Sequence, residues 1–367
     1  IEEKIRFKED EGGRIDLRQL NLIQNVRADD LLAVKIPAKR GEKPGIYLNG
    51  EQIPPSLGKD IELPVGANTK ISEDGFELRA AIDGQVLFKG GKIEIVPTYE
   101  VKGDVGFTTG NIEFIGSVVI SGTVKEGFRV EAGGDIEVSG LVAKRAHLMC
   151  GKNVMVGGGV CGGYIEAKGD VTVKFSDNST IRAGGDINII EESLHSFLNA
   201  DKNILVSGGK KSVIIGGIIR AADEVEADEI GNKLYTQTRV EVGAEPWTRE
   251  QLEEIEDKIA EDTKRIKEGK LNLKTLRAKG LKIKNGYERL VKVLKGKKIL
   301  DLKLKSTYER QEILKGEIAR LKTGKIKANI IYPGVLLKIR EVTKEIEKPL
   351  EEASLWFEGG EIKVESK

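Results

Sequence analysis

Few residues in this chain are equipped for chemistry. Among 367 residues there are two histidines and two cysteines. Neither His147, in "RAHLMCG", nor His195, in "EESLHSFLNA", has a second His or Cys at metal-ligand spacing. Cys150 falls in a column otherwise filled by alanine, as a small buried thiol would. Cys161, in "GGGVCGG", reads as a loop thiol that could be exposed and reactive. Asp177 in "KFSDNST" and the stretch Glu191, Glu192, Ser193 could line a groove, and paired carboxylates can do acid–base work. Nothing in the sequence brings them together. The remaining candidate is "VEAGGDIEV" at 130–138, with paired glycines followed by an acid, as in a loop that cradles phosphate. Such a loop opens a helix. Here an apolar strand follows the glycines. The sequence therefore assigns no catalytic, cofactor-binding or metal-ligating residue.

The same phrase recurs as "IEAKGDVTV" and "IRAGGDINI", and the recurrence explains it. Aligned on the polar turn residue, the series runs Asp135, Asn153, Asp170, Asp186, Asn203, Glu224, in steps of 18, 17, 16, 17 and 21 residues, with "GNIEF" at Asn111 as a weaker earlier member. Five residues before each turn stand Val130, Leu148, Ile165, Ile181, Leu198 and Ile219. Three before stand Ala132, Cys150, Ala167, Ala183, Ala200 and Ala221. After the turn come pairs such as Ile136/Val138 and Val154/Val156, with Glu137, Met155, Thr172, Asn188 and Leu205 pointing outward between them. This is two-residue alternation in very short strands. One unit cannot bury its apolar side alone, but units stacked at about 4.8 Å bury continuous Val/Ile columns. The expectation is a mainly β protein built on a right-handed parallel β-solenoid. The period is too irregular for six-residue acyltransferase helices and shorter than pectate-lyase-type coils. The glycines would supply positive φ or a missing Cβ at crowded corners. Asp135 and its equivalents would tie the local backbone in Asx-type turns.

The flanks have other textures. Residues 1–100 are punctuated by Pro37, Pro44, Pro54, Pro55 and Pro64 and hold short β segments, with Gly90–Gly91 as a hairpin turn. They read as a small β-rich N-terminal domain. "AAIDGQV" faintly suggests a biotinyl-type barrel but lacks the central lysine. The solenoid is expected over 101–245. From Pro246 the chain reads as helix, with Thr248 as N-cap, Gln251 three residues on, and a stripe of Leu252, Ile255, Ile259 and Ile266. A second helix over about 287–323 carries Leu290, Leu294, Leu314, Ile318 and Leu321, with Gly296 as a candidate break. Together 246–325 form an inserted antiparallel coiled-coil hairpin, expected to bind a partner or a second copy. Residues 326–367 return to β texture to cap the solenoid.

Composition excludes more than it selects. Lys+Arg 60 against Asp+Glu 59 gives a net charge of +1, so nucleic acid and membrane surface are not expected partners. Charged residues at 32% with few Cys, Met and His fit a heat-adapted source. No apolar run approaches a membrane span, and two cysteines suit a reduced, cytoplasmic setting. Aromatics at 5% argue against the stacking platforms of a carbohydrate-active β-helix enzyme.

Several blocks together carry a resemblance: "RIDLRQLNLIQNVRADDLLAVKIPAKRGEKPG", "YEVKGDVGFTTGNIEFIGSVVISGTVKEGFRVEAGGDIEV", "VTVKFSDNSTIRAGGDI" and "YPGVLLKI". Across essentially the whole chain they resemble the flagellar assembly protein A (FapA) family. "GFRVEAGGDIEVSGLVAKRAHL" more distantly resembles the C-terminal β-helix of the septum-site protein MinC. The resemblance implies a β-solenoid with a coiled-coil hairpin and a role in flagellar assembly or polar organisation. It implies protein partners and no cofactor. It also implies a further N-terminal domain, expected here to be missing or shortened. The leading expectation is a non-enzymatic scaffold. A bactofilin- or MinC-like self-associating polymer and a β-helix carbohydrate-active enzyme are the alternatives.

Overall fold

The structure is a computed structural model that describes residues 18–20, 22–210, 212–244, 246–279, 286–320 and 324–367. The chain divides into two compact units, Ile1–Thr180 and Ile181–Lys367.

The first unit opens with short antiparallel sheets. Leu31–Val34, Glu77–Ala80 and Thr69–Ile71 form one, and Asn25–Val26, Gly84–Lys89 and Lys92–Val96 another. Gly90 and Gly91 close the last hairpin at φ 59° and 78°, the left-handed pair a two-residue turn requires. From Thr98 onward the strands turn parallel. One wall stacks Thr98–Val101, Ser117–Ile120, Ile136–Val138, Val154–Val156 and Val171–Val173. A second stacks Ile112–Phe114, Arg129–Ala132, His147–Cys150 and Tyr164–Ala167. The register puts like over like: Val130 over Leu148, Leu148 over Ile165, Ala132 over Cys150, and Cys150 over Ala167. All of these side chains are buried.

Each coil has a third side that the repeat phrase does not show. Val105, Val124, Val142 and Val160 bridge one above the next through single residues, and each is fully buried. One valine per coil leaves no alternation in the sequence, so this wall reads only as a return loop.

The corner residues work differently from a local Asx turn. Asn153 donates its backbone N–H and its side-chain amide to Asp135 Oδ1, at 3.0 and 3.1 Å. Asp170 N–H then donates to Asn153 Oδ1 at 2.9 Å. Each side chain therefore ties the coil that follows it. The member before Asp135 is not Asn111 but Ser117, whose hydroxyl accepts from Asp135 N–H at 3.1 Å. Asn111 belongs to the other wall and accepts from Arg129 N–H at 3.0 Å. Replacing Asn153 by alanine should cost about 1–2 kcal/mol, since one acceptor and one donor of the ladder are lost. Urea denaturation midpoints check this, and an unchanged midpoint would show that water replaces the ladder at no cost.

In the second unit the walls lengthen. Ile187–Ile189, Asn203–Val206, Glu224–Ile230 and Lys325–Ile331 form one wall. Glu192–Ala200, Val213–Ala221, Thr238–Val242 and Val335–Ile339 form the other. Two helices stand in the chain between Thr238–Val242 and Lys325–Ile331: α1, Pro246–Lys279, and α2, Gly286–Arg320. After them, Val342–Glu345, Leu350–Glu358 and Glu361–Glu365 pair antiparallel and end the parallel run.

The helices pack together as a hairpin. α1 starts at Pro246, which suits the first turn because it lacks a donor that would go unused. Thr248 thus lies inside the first turn and is not the N-cap. α2 runs unbroken through Gly296. The side chains of Leu290, Ile318 and Leu321 lie outside the described residues. The seam of α1 buries Leu252, Asp262, Ile266 and Leu273, and that of α2 buries Gln311 and Leu314. Asp262 faces Lys303 at 3.7 Å, and Gln311 donates to Glu256 at 3.1 Å. Polar residues at seam positions fix register at some cost in stability.

Candidate functional site

The structure sets His147 in the first unit and His195 in the second. His147 stands in the outward column Arg129, His147, Tyr164, its ring 5.4 Å from that of Tyr164. His195 belongs to the second unit and sits at φ 46°; a Cβ on Gly216 would lie 2.4 Å from its Nδ1. Ser193 is buried in the strand that begins at Glu192. Among the described residues no three His, Cys, Asp or Glu side chains group as metal ligands would.

Cys150 occupies the inward alanine column, and its burial pushes the thiol pKa up. Cys161 is half-buried and sits directly beneath Asp177 in the parallel register. Burial raises its thiol pKa too, and the Asp177 carboxylate adds to the rise. The thiolate is the nucleophile, and Cys161 stands in the short strand Val160–Cys161 and not in a loop. Iodoacetamide should alkylate it more slowly than a cysteine in the unfolded chain, and should spare Cys150 until the protein unfolds. A Cys161 faster than free cysteine would contradict this geometry.

A groove of about 990 Å³ in the first unit, not foreseen from sequence, runs between Arg18, Gln19, Leu22, Ile23 and Asn25 and the second wall. Asn25 acts as a strand surrogate there, donating to Glu113 O at 3.0 Å and accepting from Ile115 N–H at 3.3 Å. Arg18 donates to Gly127 O at 2.8 Å and lies over the Phe128 ring, against which Phe107 packs edge-on. The other cations of the groove face carboxylates: Arg129 with Glu131 at 3.3 Å, Lys125 with Asp104 at 3.2 Å, and Arg145 with Glu126. The Arg145 guanidinium holds the Glu126 carboxyl below its usual range. Cations so neutralised do not make an anion site.

The most heavily built cluster lies where α1 leaves the second unit's wall. Alternation along Thr238–Val242 turns Arg239 and Glu241 outward, and the register sets Arg220 beside Glu241. α1 then covers them with Arg249, Glu250 and Glu253. The Glu241 side chain is 0% exposed and that of Arg249 1%. Glu241 takes Arg249 at 3.1 Å, Arg220 at 3.2 Å and Arg239. Arg220 reaches Glu253 at 2.6 Å, while Glu250 accepts from the two terminal Arg182 nitrogens, each at 3.1 Å, and from Asn199 at 2.6 Å. Arg249 also donates to Arg340 O at 3.0 Å. Ala244, Leu252, Ile255 and Leu314 pack into an apolar patch at the same base. The sequence reading missed this cluster because charges at outward positions look solvated until a helix covers them. The available signal was the dense run "TREQLEE" opening α1.

Fold and site together define a parallel β-solenoid protein with a small β-rich N-terminal region and an inserted helical hairpin. The chain belongs to the flagellar assembly protein A family: the model of that family's beta solenoid domain matches residues 97–362. The Flagellar Assembly Protein A N-terminal region matches residues 1–91. No curated protein and no solved structure matches the chain. No helix among the described residues is long and apolar enough to cross a membrane.

Proposed function

We propose that the protein is a non-enzymatic assembly factor of the cytoplasm, serving flagellar assembly or polar organisation, in which the solenoid supports the helical hairpin and the hairpin meets protein partners. The observation that carries this reading is the contrast along the hairpin. Its base is locked to the solenoid wall by the Glu241 cluster. Farther out, α1 exposes Leu271 and α2 exposes Ile299, Leu302 and Tyr308, while Ile313 is exposed next to the base. Large apolar side chains kept in water along a fixed helix mark an interaction surface. A cleft of about 660 Å³ beside Leu304, Tyr308 and Ile313 adds a recess that a partner's side chains can fill. Family membership supplies the flagellar context. The antiparallel strands that follow Val335–Ile339 favour a discrete particle over end-to-end growth, because they offer no matching parallel edge.

The test compares the whole protein with a variant in which a short linker replaces residues 246–323. Both are used to capture flagellar assembly components from a flagellated host. The whole protein should retain them and the variant should not. An identical captured set from both would sink the hairpin as the partner site.

A further inference from the structure

The net charge of +1 conceals a separation. Residues 263–300 hold fourteen Lys and Arg against two carboxylates, Glu268 and Glu288, while the rest of the chain is net negative by eleven. The switch is abrupt within α1. Residues 246–262 carry seven Asp and Glu against Arg249 and Lys258, and residues 263–279 carry seven Lys and Arg against Glu268. The facing stretch of α2 is basic too, with Arg289, Lys292, Lys295, Lys297 and Lys298 against Glu288.

The hairpin's own stability does not ask for this. A helix dipole welcomes cations late in α1 but disfavours them early in α2. The antiparallel packing sets the two basic stretches side by side, where like charges repel. Nearer the base, carboxylates answer the cations: Lys303 faces Asp262 at 3.7 Å, Lys258 faces Glu254 at 3.8 Å and Lys315 faces Glu312 at 3.8 Å. Farther out, Arg265 reaches back to Glu261 at 2.7 Å and Lys297 meets Asp301 at 3.6 Å. Among the described residues, Lys264, Lys267, Lys270, Lys274, Lys292, Lys295 and Lys298 meet no carboxylate at ion-pair distance. Charges kept in mutual repulsion at a cost in stability belong to a surface that meets something negative.

Apolar side chains set among these cations say what kind of anion. Leu271 and Ile299 are 66% and 68% exposed. Lys267, Lys270, Leu271 and Lys274 lie three and four apart on one side of α1. A cleft of about 310 Å³ is lined by Leu273 and Leu294 together with Lys270, Lys274 and Lys297. Nucleic acid has no use for the aliphatic groups and favours arginine forks and aromatic platforms. The described cations of this half are eight lysines and Arg265. A rigid protein surface covers one stripe of a helix. Steps of three turn each residue about 60° from the last, so Lys292, Lys295 and Lys298 fan over α2 instead of marking one stripe. A layer of phosphate headgroups surrounds whatever dips into it. Lysine stems carry their charge to that layer while leucine and isoleucine reach the acyl boundary.

We propose that the far half of the hairpin docks on a membrane surface rich in anionic phospholipid, its lysines on headgroup phosphates and Leu271 and Ile299 at the acyl boundary. This goes beyond the hairpin's role toward proteins and leaves Tyr308 and Ile313 to them. Each lysine at such a surface contributes about fivefold in affinity.

The experiment sediments the whole chain with vesicles of equal parts phosphatidylglycerol and phosphatidylcholine, or of phosphatidylcholine alone. Binding to the anionic vesicles only is expected. Most of it should be lost when salt rises from about 0.1 M to about 1 M and the screening length falls from about 10 Å to about 3 Å. Lys270→Gln, Lys274→Gln, Lys295→Gln and Lys298→Gln combined should weaken binding about a hundredfold or more. Glutamine forms helix about as well as lysine, so circular dichroism should show both helices intact. Leu271→Ser with Ile299→Ser should weaken binding about tenfold and leave its salt dependence unchanged. The same proteins are titrated with a short DNA duplex at the same salt. Duplex binding as tight as vesicle binding and indifferent to the serine pair overturns the assignment to lipid. So does vesicle binding indifferent to either set of substitutions, or no vesicle binding at about 0.1 M salt. A glutamine variant that loses the vesicles yet captures flagellar components leaves the protein-partner reading intact. A wild-type chain that binds the vesicles and captures none sinks that reading alone.

Discussion

Replacing Glu241 by alanine is expected to destabilise the second unit by about 3–5 kcal/mol, the scale for breaking a buried ion pair from one side. Three guanidiniums converge on this carboxylate, and the side chains of Arg249 and Arg220 are only 1% and 8% exposed. Without Glu241, Arg249 keeps its bond to Arg340 O and the smaller pulls of the Glu341 and Glu253 charges. Burial already pulls the Arg249 pKa down from its ordinary value, with the Glu241 charge opposing that pull. The alanine variant removes the largest part of that opposition and leaves the burial. Glu241→Gln should lose nearly as much, because the amide keeps a hydrogen-bonding oxygen but no charge. Glu241→Leu combined with Arg249→Leu should recover part of the loss, since an apolar pair has no charge to desolvate. Urea denaturation followed by helical circular dichroism reads all three. High salt should leave the effect in place, because buried pairs are little screened. A loss under about 1 kcal/mol for Glu241→Ala would mean that the hairpin base is held by Ala244, Leu252 and Leu314 instead.

What could be read from the chain beforehand follows from geometry. A parallel coil puts each residue under its own equivalent, so Val130, Leu148 and Ile165 declare their contacts by recurring in sequence. Features that need a neighbour from outside the repeat did not declare themselves. Asp135 looks like a turn residue alone, and only the stacked coil shows its oxygen on Asn153. "GNIEF" looks like "GGDIEV", yet Ile112 pairs with Val130 and not with Ile136. Arg220 and Glu241 read as solvated charges because the helix that buries them comes later in the chain.

Glycine shows the same limit, and it carries the second large prediction. The sequence offered two reasons for a corner glycine, positive φ or lack of a Cβ, and could not choose between them. The structure separates them by position. Gly90 has φ +59° and nothing within 4 Å of where a Cβ would stand. Gly90→Ala should therefore cost about 1–2 kcal/mol, the strain of a left-handed backbone. Gly151 is not among the positive-φ residues. Its added Cβ would fall 2.3 Å from the carbonyl oxygen of Gly133, one coil away. That oxygen is backbone and cannot rotate aside. Relief requires the coils to part, and Gly151 N–H donates to Ala132 O at 2.9 Å across the same gap. Gly151→Ala should thus cost about 3 kcal/mol or more, at the upper end for overpacking, and Gly151→Val more again. Elsewhere a Gly→Ala change in permitted φ/ψ stabilises by about 0.4–1 kcal/mol through the unfolded chain, so even the sign is at stake. Thermal and urea midpoints of the two alanine variants decide it. If Gly90→Ala proves the more damaging, left-handed strain in a hairpin turn outweighs crowding at a coil corner.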